Sequence, residues 1–275
     1  MKNNLFKFTS LIIIASIISF TFYSCKSGAK KQTSEEINKE EIKKELQKAM
    51  YPIPSPFELT KMLNEIEASY IGGIINDSKN YNKYLTVKQQ ALNVGVYSAD
   101  LAYVTTYNLK EEPINYMNSI KELVKELDIA SAINEDLVNQ INANQQNKDK
   151  LIELITELLY STYSYLNENN NEKISYLILA GTWIEGMYLA TNISENTLDN
   201  IKIVEIIMKQ EESLRTIINL IEPHKSSELL QDTYSNLSNI LKIYELQPGT
   251  TSLTRTQLEK IKTEVSKLRD NIINK

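Results

Sequence analysis

Residues 151–163 read LIELITELLYSTY, with apolar side chains at Leu151, Leu154, Ile155, Leu158 and Leu159. Steps of three and four put these side chains on one face of an α-helix, whereas a half-buried strand needs strict alternation. The same spacing recurs along the rest of the chain, and no alternating run competes with it. Seven Gly and six Pro in 275 residues are too few for a β-rich fold full of tight turns. The expectation is an all-α, multi-helix bundle.

Working outward, the spacing predicts helices over 56–76, 84–108, 113–128, 134–146, 148–168, 172–192, 196–221, 223–245 and 254–273. Pro113 and Pro223 stand at helix starts, where a missing N–H costs nothing. Thr254 with Gln257 has the spacing of a capping box. Upstream, SEEINKEEIKKELQKAM (residues 34–50) is charged nearly all round and reads as an exposed lead-in helix. Pro52, Pro54 and Pro56 end it, because each pushes the preceding residue toward extended geometry. Ser55, Pro56 and Glu58 then form a second capping pattern. The expected organisation is a charged lead-in helix and Pro-rich linker over 35–55, followed by a single all-α domain over 56–275.

Two stretches correspond internally. LTKMLNEIEASYI from Leu59 aligns with LIELITELLYSTY from Leu151, and GVYSADLAYVTTYN from Gly95 aligns with GTWIEGMYLATN from Gly181. As a duplication this makes two pseudo-repeated four-helix halves; as the generic match of amphipathic helices it makes none. The period fits no tetratricopeptide array, which recurs near 34 residues with a fixed Trp, Leu-Gly and Tyr pattern.

The chain opens with Lys2 and Lys7, continues through TSLIIIASIISFTFYS, and reaches its only cysteine, Cys25, just after the small residue Ser24. A basic segment, an apolar run and a small residue before the junction are the parts of a secretory signal. The alternative, an uncleaved anchor over Phe8–Ser24, is short against the roughly 20 apolar residues a bilayer requires. A single Cys forms no intramolecular disulfide, so the fold must stand on its core. Loss of residues 1–24 leaves 28 basic and 35 acidic side chains, a net charge of −7. That balance argues against nucleic acid, whose phosphates need clustered Lys and Arg.

Chemistry-bearing residues concentrate in two helices. Gly72, Gly73, Gly95, Gly181 and Gly186 all fall inside expected helices, each at about 1 kcal/mol against Ala. Close approach of a neighbouring helix explains that, and so does a ligand or a kink. Tyr97, Asp100, Val104 and Tyr107 share one helical face; Gly181, Glu185 and Tyr188 share another, beside Trp183. Asp100 is the only charged side chain from Asn93 to Asn108, and Glu185 the only one from Ile174 to Thr191. Carboxylates in such surroundings are paired, hydrogen-bonded or on a narrow polar stripe, and a buried pair has shifted pKa values of the kind found at functional sites. The candidate ligand pocket therefore comprises Tyr97, Asp100, Tyr103, Trp183, Glu185 and Tyr188. The competing reading is structural, with the carboxylates satisfied by tyrosine hydroxyls or solvent.

No catalytic or cofactor motif stands beside it. His224 is the only histidine, so the helical Glu-x-x-His metal sites and His-Glu-x-x-His are excluded. No serine sits in a nucleophile elbow, and the glycines form neither a Walker loop nor a dinucleotide fingerprint. No metal, cofactor or enzymatic activity is expected.

The FYSC junction, the Asn-, Lys- and Ile-rich composition, the YPIPSPFE entry and AGTWIEGMYLAT resemble the small helical lipoproteins of Bacteroidota-type envelopes. The resemblance implies removal of residues 1–24, diacylation and N-acylation of Cys25, a flexible tether over 25–34 and, through Lys26, sorting to the outer membrane. Phe22 and Tyr23 depart from the usual Leu and small residue. The resemblance carries no particular activity with it. The expected role is a non-catalytic module that binds a small ligand or an envelope partner; the alternative is a structural, α-solenoid-like accessory subunit of an outer-membrane complex.

Overall fold

The computed structural model of the protein describes residues 56–193, 197–246 and 251–274. The signal segment 1–24, Cys25 and its tether over 25–34, and the lead-in segment 35–55 with Ser55 lie outside the described residues. Within them stand nine α-helices and no strand: α1 (Pro56–Glu65), α2 (Val87–Thr106), α3 (Glu112–Glu126), α4 (Glu135–Ala143), α5 (Lys148–Glu168), α6 (Glu172–Asn192), α7 (Ile201–Ile221), α8 (Gln231–Ile243) and α9 (Arg255–Ile273). The chain is an all-α multi-helix bundle.

Local chemistry fixes most of the ends. Thr86 and Thr254 cap α2 and α9 with full capping boxes to Gln89 and Gln257; the second is the one the sequence spacing predicts. Asn134, Asn147 and Asn200 accept hydrogen bonds from first-turn N–H groups of α4, α5 and α7. At the other ends, Asn108, Asp128 and Asn170 adopt left-handed φ of 57°, 56° and 58°. The next N–H then reaches back five residues, as in Leu109 to Val104 (3.0 Å) and Asn171 to Leu166 (2.8 Å). This closure satisfies carbonyls that a helix end leaves open, and Asn and Asp tolerate it better than bulkier residues.

Helices α5 and α6 coincide with the expected spans; others differ. The helix expected over 56–76 stops at Glu65, where Glu67 turns left-handed and Ala68 N–H bonds Leu63. Residues 68–86 instead form a strap with one 3-10 segment, Ser78–Lys83. Gly72 and Gly73 therefore lie in no helix, and Gly73 has φ +81°. The span expected over 223–245 becomes a short 3-10 turn, Glu222–His224, and a helix beginning only at Gln231. The span expected from 196 begins as α7 at Ile201, after a 3-10 turn at Thr197–Asp199.

The core is organised around α2 and α6, which make the most extensive contact in the bundle. In α2, 17 of 20 residues are buried, and in α6, 15 of 21, so these helices have no solvent face and every polar group they carry must be satisfied internally. Helices α1, α3, α5, α7 and α9 wrap this pair, and α8 packs on α7 and α9. Gly95 and Gly181 sit at the crossing. A methyl group on Gly95 would overlap the Ile178 carbonyl oxygen and lie 2.6 Å from the Thr182 nitrogen, and one on Gly181 would overlap the Leu92 carbonyl. Backbone thus packs on backbone, and Thr182 Oγ1 donates across the seam to the Gly95 carbonyl at 3.2 Å. Gly95 against Gly181 and Asp100 against Glu185 advance together, so the two helices run in the same direction.

Candidate functional site

One turn past the glycine crossing, α2 and α6 bring Asp100 and Glu185 together with no exposure to solvent. A third charge joins them. Arg269 of α9, 6% exposed, donates to Glu185 through Nε (3.0 Å) and Nη2 (3.2 Å), and Nη2 also bonds the Ile74 carbonyl at 3.1 Å. Its guanidinium lies 4.3 Å from the centre of the Tyr188 ring, a cation–π contact that replaces lost hydration.

Two carboxylates and one guanidinium leave one negative charge too many for a dry core. Burial first, then the neighbouring Glu185 charge, push the Asp100 pKa well above the ordinary carboxylate range. Burial also raises Glu185, but the bidentate Arg269 opposes it. The shared proton therefore resides on Asp100. Oδ2 of Asp100 accepts from the Asn76 backbone N–H at 3.2 Å, while Oδ1 has no N–H donor among the described residues. The Asp100 carboxyl, kept protonated, interacts with the neighbouring Glu185 carboxylate. The cluster is neutral overall and closed to water.

The strap over 68–86 forms its lid, and the tyrosines fasten it. Tyr107 donates to the Ala68 carbonyl (2.6 Å), Tyr97 to that of Asp77 (3.0 Å) and Tyr116 to that of Asn76 (2.7 Å), while the Tyr103 hydroxyl accepts from the Ile71 N–H at 2.9 Å. An irregular segment under cover must find partners for its peptide groups, and here side chains of α2, of Tyr107 at its end and of α3 supply them. Trp183 is buried in α6 with its indole N–H unpartnered among the described residues.

Of the six residues singled out in the sequence, Trp183 lines neither opening and the other five separate into two groups. Asp100, Glu185 and Tyr188 meet around Arg269. Tyr97 and Tyr103 instead anchor the strap and line neither of the two openings described below. Arg269 was missed, although Leu258, Ile261, Val265, Arg269 and Ile272 follow the apolar spacing of α9; an arginine on that face is the sequence signal of a buried cation. His224 is half-buried, with its ring 5.9 Å from that of Tyr176.

Two openings lie elsewhere. A void of about 20 Å³ sits between α2, α3, α5 and α6, walled by Val94, Met117, Ile155 and Ile178 among others; it has room for one water and too few polar partners to hold it. The second is a cleft of about 420 Å³ between the start of α2, the start of α8 and the end of α9. Leu92, Ile184, Leu268 and Ile272 form its aliphatic floor, and Gln89, Thr233, Ser235, Asn236 and Asn271 its polar rim. Lys88 Nζ meets Asp232 Oδ2 at 2.8 Å across the mouth, and Lys88 holds the Asp232 carboxyl below the usual range. Immediately behind the wall, Asn93 Nδ2 donates to the Gln89 and Ile272 carbonyls, joining α2 to α9, while its Oδ1 lacks a donor among the described residues.

Among the described residues no group of three or more His, Cys, Asp and Glu side chains is placed to hold a metal, and no helix is long and apolar enough to cross a membrane. No family model matches the chain, and neither a curated protein nor a solved structure matches it.

Proposed function

We propose that the chain is a cell-envelope lipoprotein, anchored through Cys25 and directed to the outer membrane, whose helical domain is a non-catalytic module that binds a small ligand in the cleft between α2, α8 and α9. The observation that carries this reading is the contrast between the two polar sites. The Asp100, Glu185 and Arg269 cluster is neutral, packed and shut, whereas the cleft combines an aliphatic floor with an open polar rim, the makeup of a small-molecule site. The anchor rests on Lys2, Lys7, the apolar run and the Ser24–Cys25 junction; two or more acyl chains on one residue suffice for stable attachment.

A second reading, an accessory subunit that docks a protein partner, draws on Leu85 and Val87, 82% and 46% exposed at the start of α2. Purification of the full chain from its own membranes in mild detergent separates the two, with bound proteins and small molecules both identified by mass spectrometry. The binding-module reading expects a small molecule that is lost when Ser235→Trp fills the cleft. A stoichiometric protein retained by that variant, with no small molecule in either sample, overturns it. In the same membranes Cys25→Ala is expected to leave the membrane fraction; its retention there defeats the anchor.

A further inference from the structure

The mouth of the cleft carries one positive and one negative side chain in contact, and this pairing restricts what can enter. A purely anionic ligand attracted by Lys88 meets Asp232, and a purely cationic one attracted by Asp232 meets Lys88. A ligand with both charges on adjacent atoms can satisfy both. The helix ends around the cleft add the same polarity: α2 and α8 present their N-termini, the positive ends of their dipoles, and α9 presents its negative C-terminus. Leu230 supplies no side-chain cap to α8, so residues of its first turn, Asp232 and Thr233, enter the wall with the helix end undisguised.

Resting on the reading of this cleft as a ligand site, we infer that it takes a zwitterionic α-amino acid with an aliphatic side chain. One carbon of such a ligand bears ammonium, carboxylate and side chain together. The carboxylate faces Lys88 and the N-termini of α2 and α8, the ammonium faces Asp232 and the end of α9, and the side chain drops onto Leu92, Ile184, Leu268 and Ile272. The Lys88–Asp232 contact is partly exposed, 29% and 67% for the two side chains, and such a pair holds itself together weakly. Opening it to form two charge-assisted contacts with a ligand loses little and gains two stronger hydrogen bonds. The hydroxyl and amide groups of Ser235, Asn236 and Asn271 complete the polar rim without adding a net charge.

The test is isothermal titration calorimetry of the full chain in detergent against L-leucine, glycine, 4-methylpentanoate, 3-methylbutylamine and N-acetyl-leucinamide. Leucine is expected to bind, and each of the others at least about tenfold more weakly, since each lacks the side chain, one charge or both. Lys88→Met and Asp232→Asn are each expected to weaken leucine by about the same factor while leaving the unfolding temperature unchanged. Equal binding of leucine and N-acetyl-leucinamide overturns the inference but leaves a ligand site in place. So does full leucine affinity in both variants. If none of the five compounds binds, the zwitterion inference falls, and the small molecule recovered from membranes, sensitive to Ser235→Trp, decides the wider reading independently.

Discussion

Arg269→Met and Asp100→Asn, made separately, are expected to differ sharply in stability although both alter the same buried cluster. Removal of the guanidinium leaves Glu185 without its cation in a site with no solvent, and breaking a buried pair in this way costs about 3–5 kcal/mol. The hydrogen bond to the Ile74 carbonyl disappears as well, about 1 kcal/mol more. For a domain of this size each kcal/mol moves the melting temperature by about 2–4 °C, so Arg269→Met should melt at least roughly 8 °C lower. Asn at position 100 keeps the shape, an acceptor for the Asn76 N–H and a donor toward Glu185, so below about pH 4, where Asp100 is protonated in folded and unfolded chains alike, its stability should stay within about 1 kcal/mol of the original. The pH dependence separates the two further. The Asp100 pKa is raised in the folded state, so that state holds a proton which the unfolded chain releases above about pH 4. This contribution is fully present below that pH and declines as pH rises, by about 1.4 kcal/mol per unit, until the folded carboxyl itself ionises. Urea denaturation from pH 4 upward, with the slope against urea held constant, measures it. Relative to Asp100→Asn, the native chain should lose its advantage steadily as pH rises. Equal destabilisation by the two substitutions, or parallel pH profiles for the native chain and Asp100→Asn, would refute the protonated Asp100 and the neutral cluster.

Gly95→Ala and Gly181→Ala each push a methyl group into backbone carbonyl of the facing helix and should destabilise by about 3 kcal/mol or more; Gly186→Ala, which meets only the Leu59 Cδ2 methyl, should be milder, as thermal melts of the three will report. Tyr116→Phe removes the hydroxyl bonded to the Asn76 carbonyl, so amides of residues 68–86 should exchange faster while those of α2 and α6 do not, with a stability loss of about 1 kcal/mol; unchanged exchange in the strap denies its fastening role. Val94→Ile adds one methylene to the wall of the 20 Å³ void, and at about 24 cal/mol per Å³ filling it gains about 0.5 kcal/mol, readable as a higher urea midpoint.

How much of this was legible in the sequence depends on whether the deciding contacts are local. Helices α5 and α6 could be delimited because spacing, caps and intervening Asn residues all agree within a few residues of each end. The α1 overrun has the opposite cause. Its apolar pattern continues through Ile66, Ile71 and Ile74, yet the segment leaves the helix because Tyr97, Tyr103, Tyr107 and Tyr116 satisfy its peptide groups from as far as 40 residues away. Asp100 and Glu185 stood out as isolated charges in apolar runs, and the structure pairs them. Their partner Arg269 was visible in principle from its place on the apolar face of α9, but it sits among Lys267 and Asp270 and reads as ordinary surface charge when only composition is weighed. The cleft could not be seen at all: its walls come from four helices far apart in the chain, and none of its residues is unusual alone.

The central claim is that this cleft, and not the buried carboxylate cluster, is where the protein meets its ligand. Hydrogen–deuterium exchange of the full chain, with and without the small-molecule extract of its own membranes, tests it most directly. Protection confined to peptides carrying residues 88–92, 232–236 and 268–272, and abolished by Ser235→Trp, is the predicted result. Protection centred on Tyr97, Asp100 and Glu185 that survives Ser235→Trp would contradict the account.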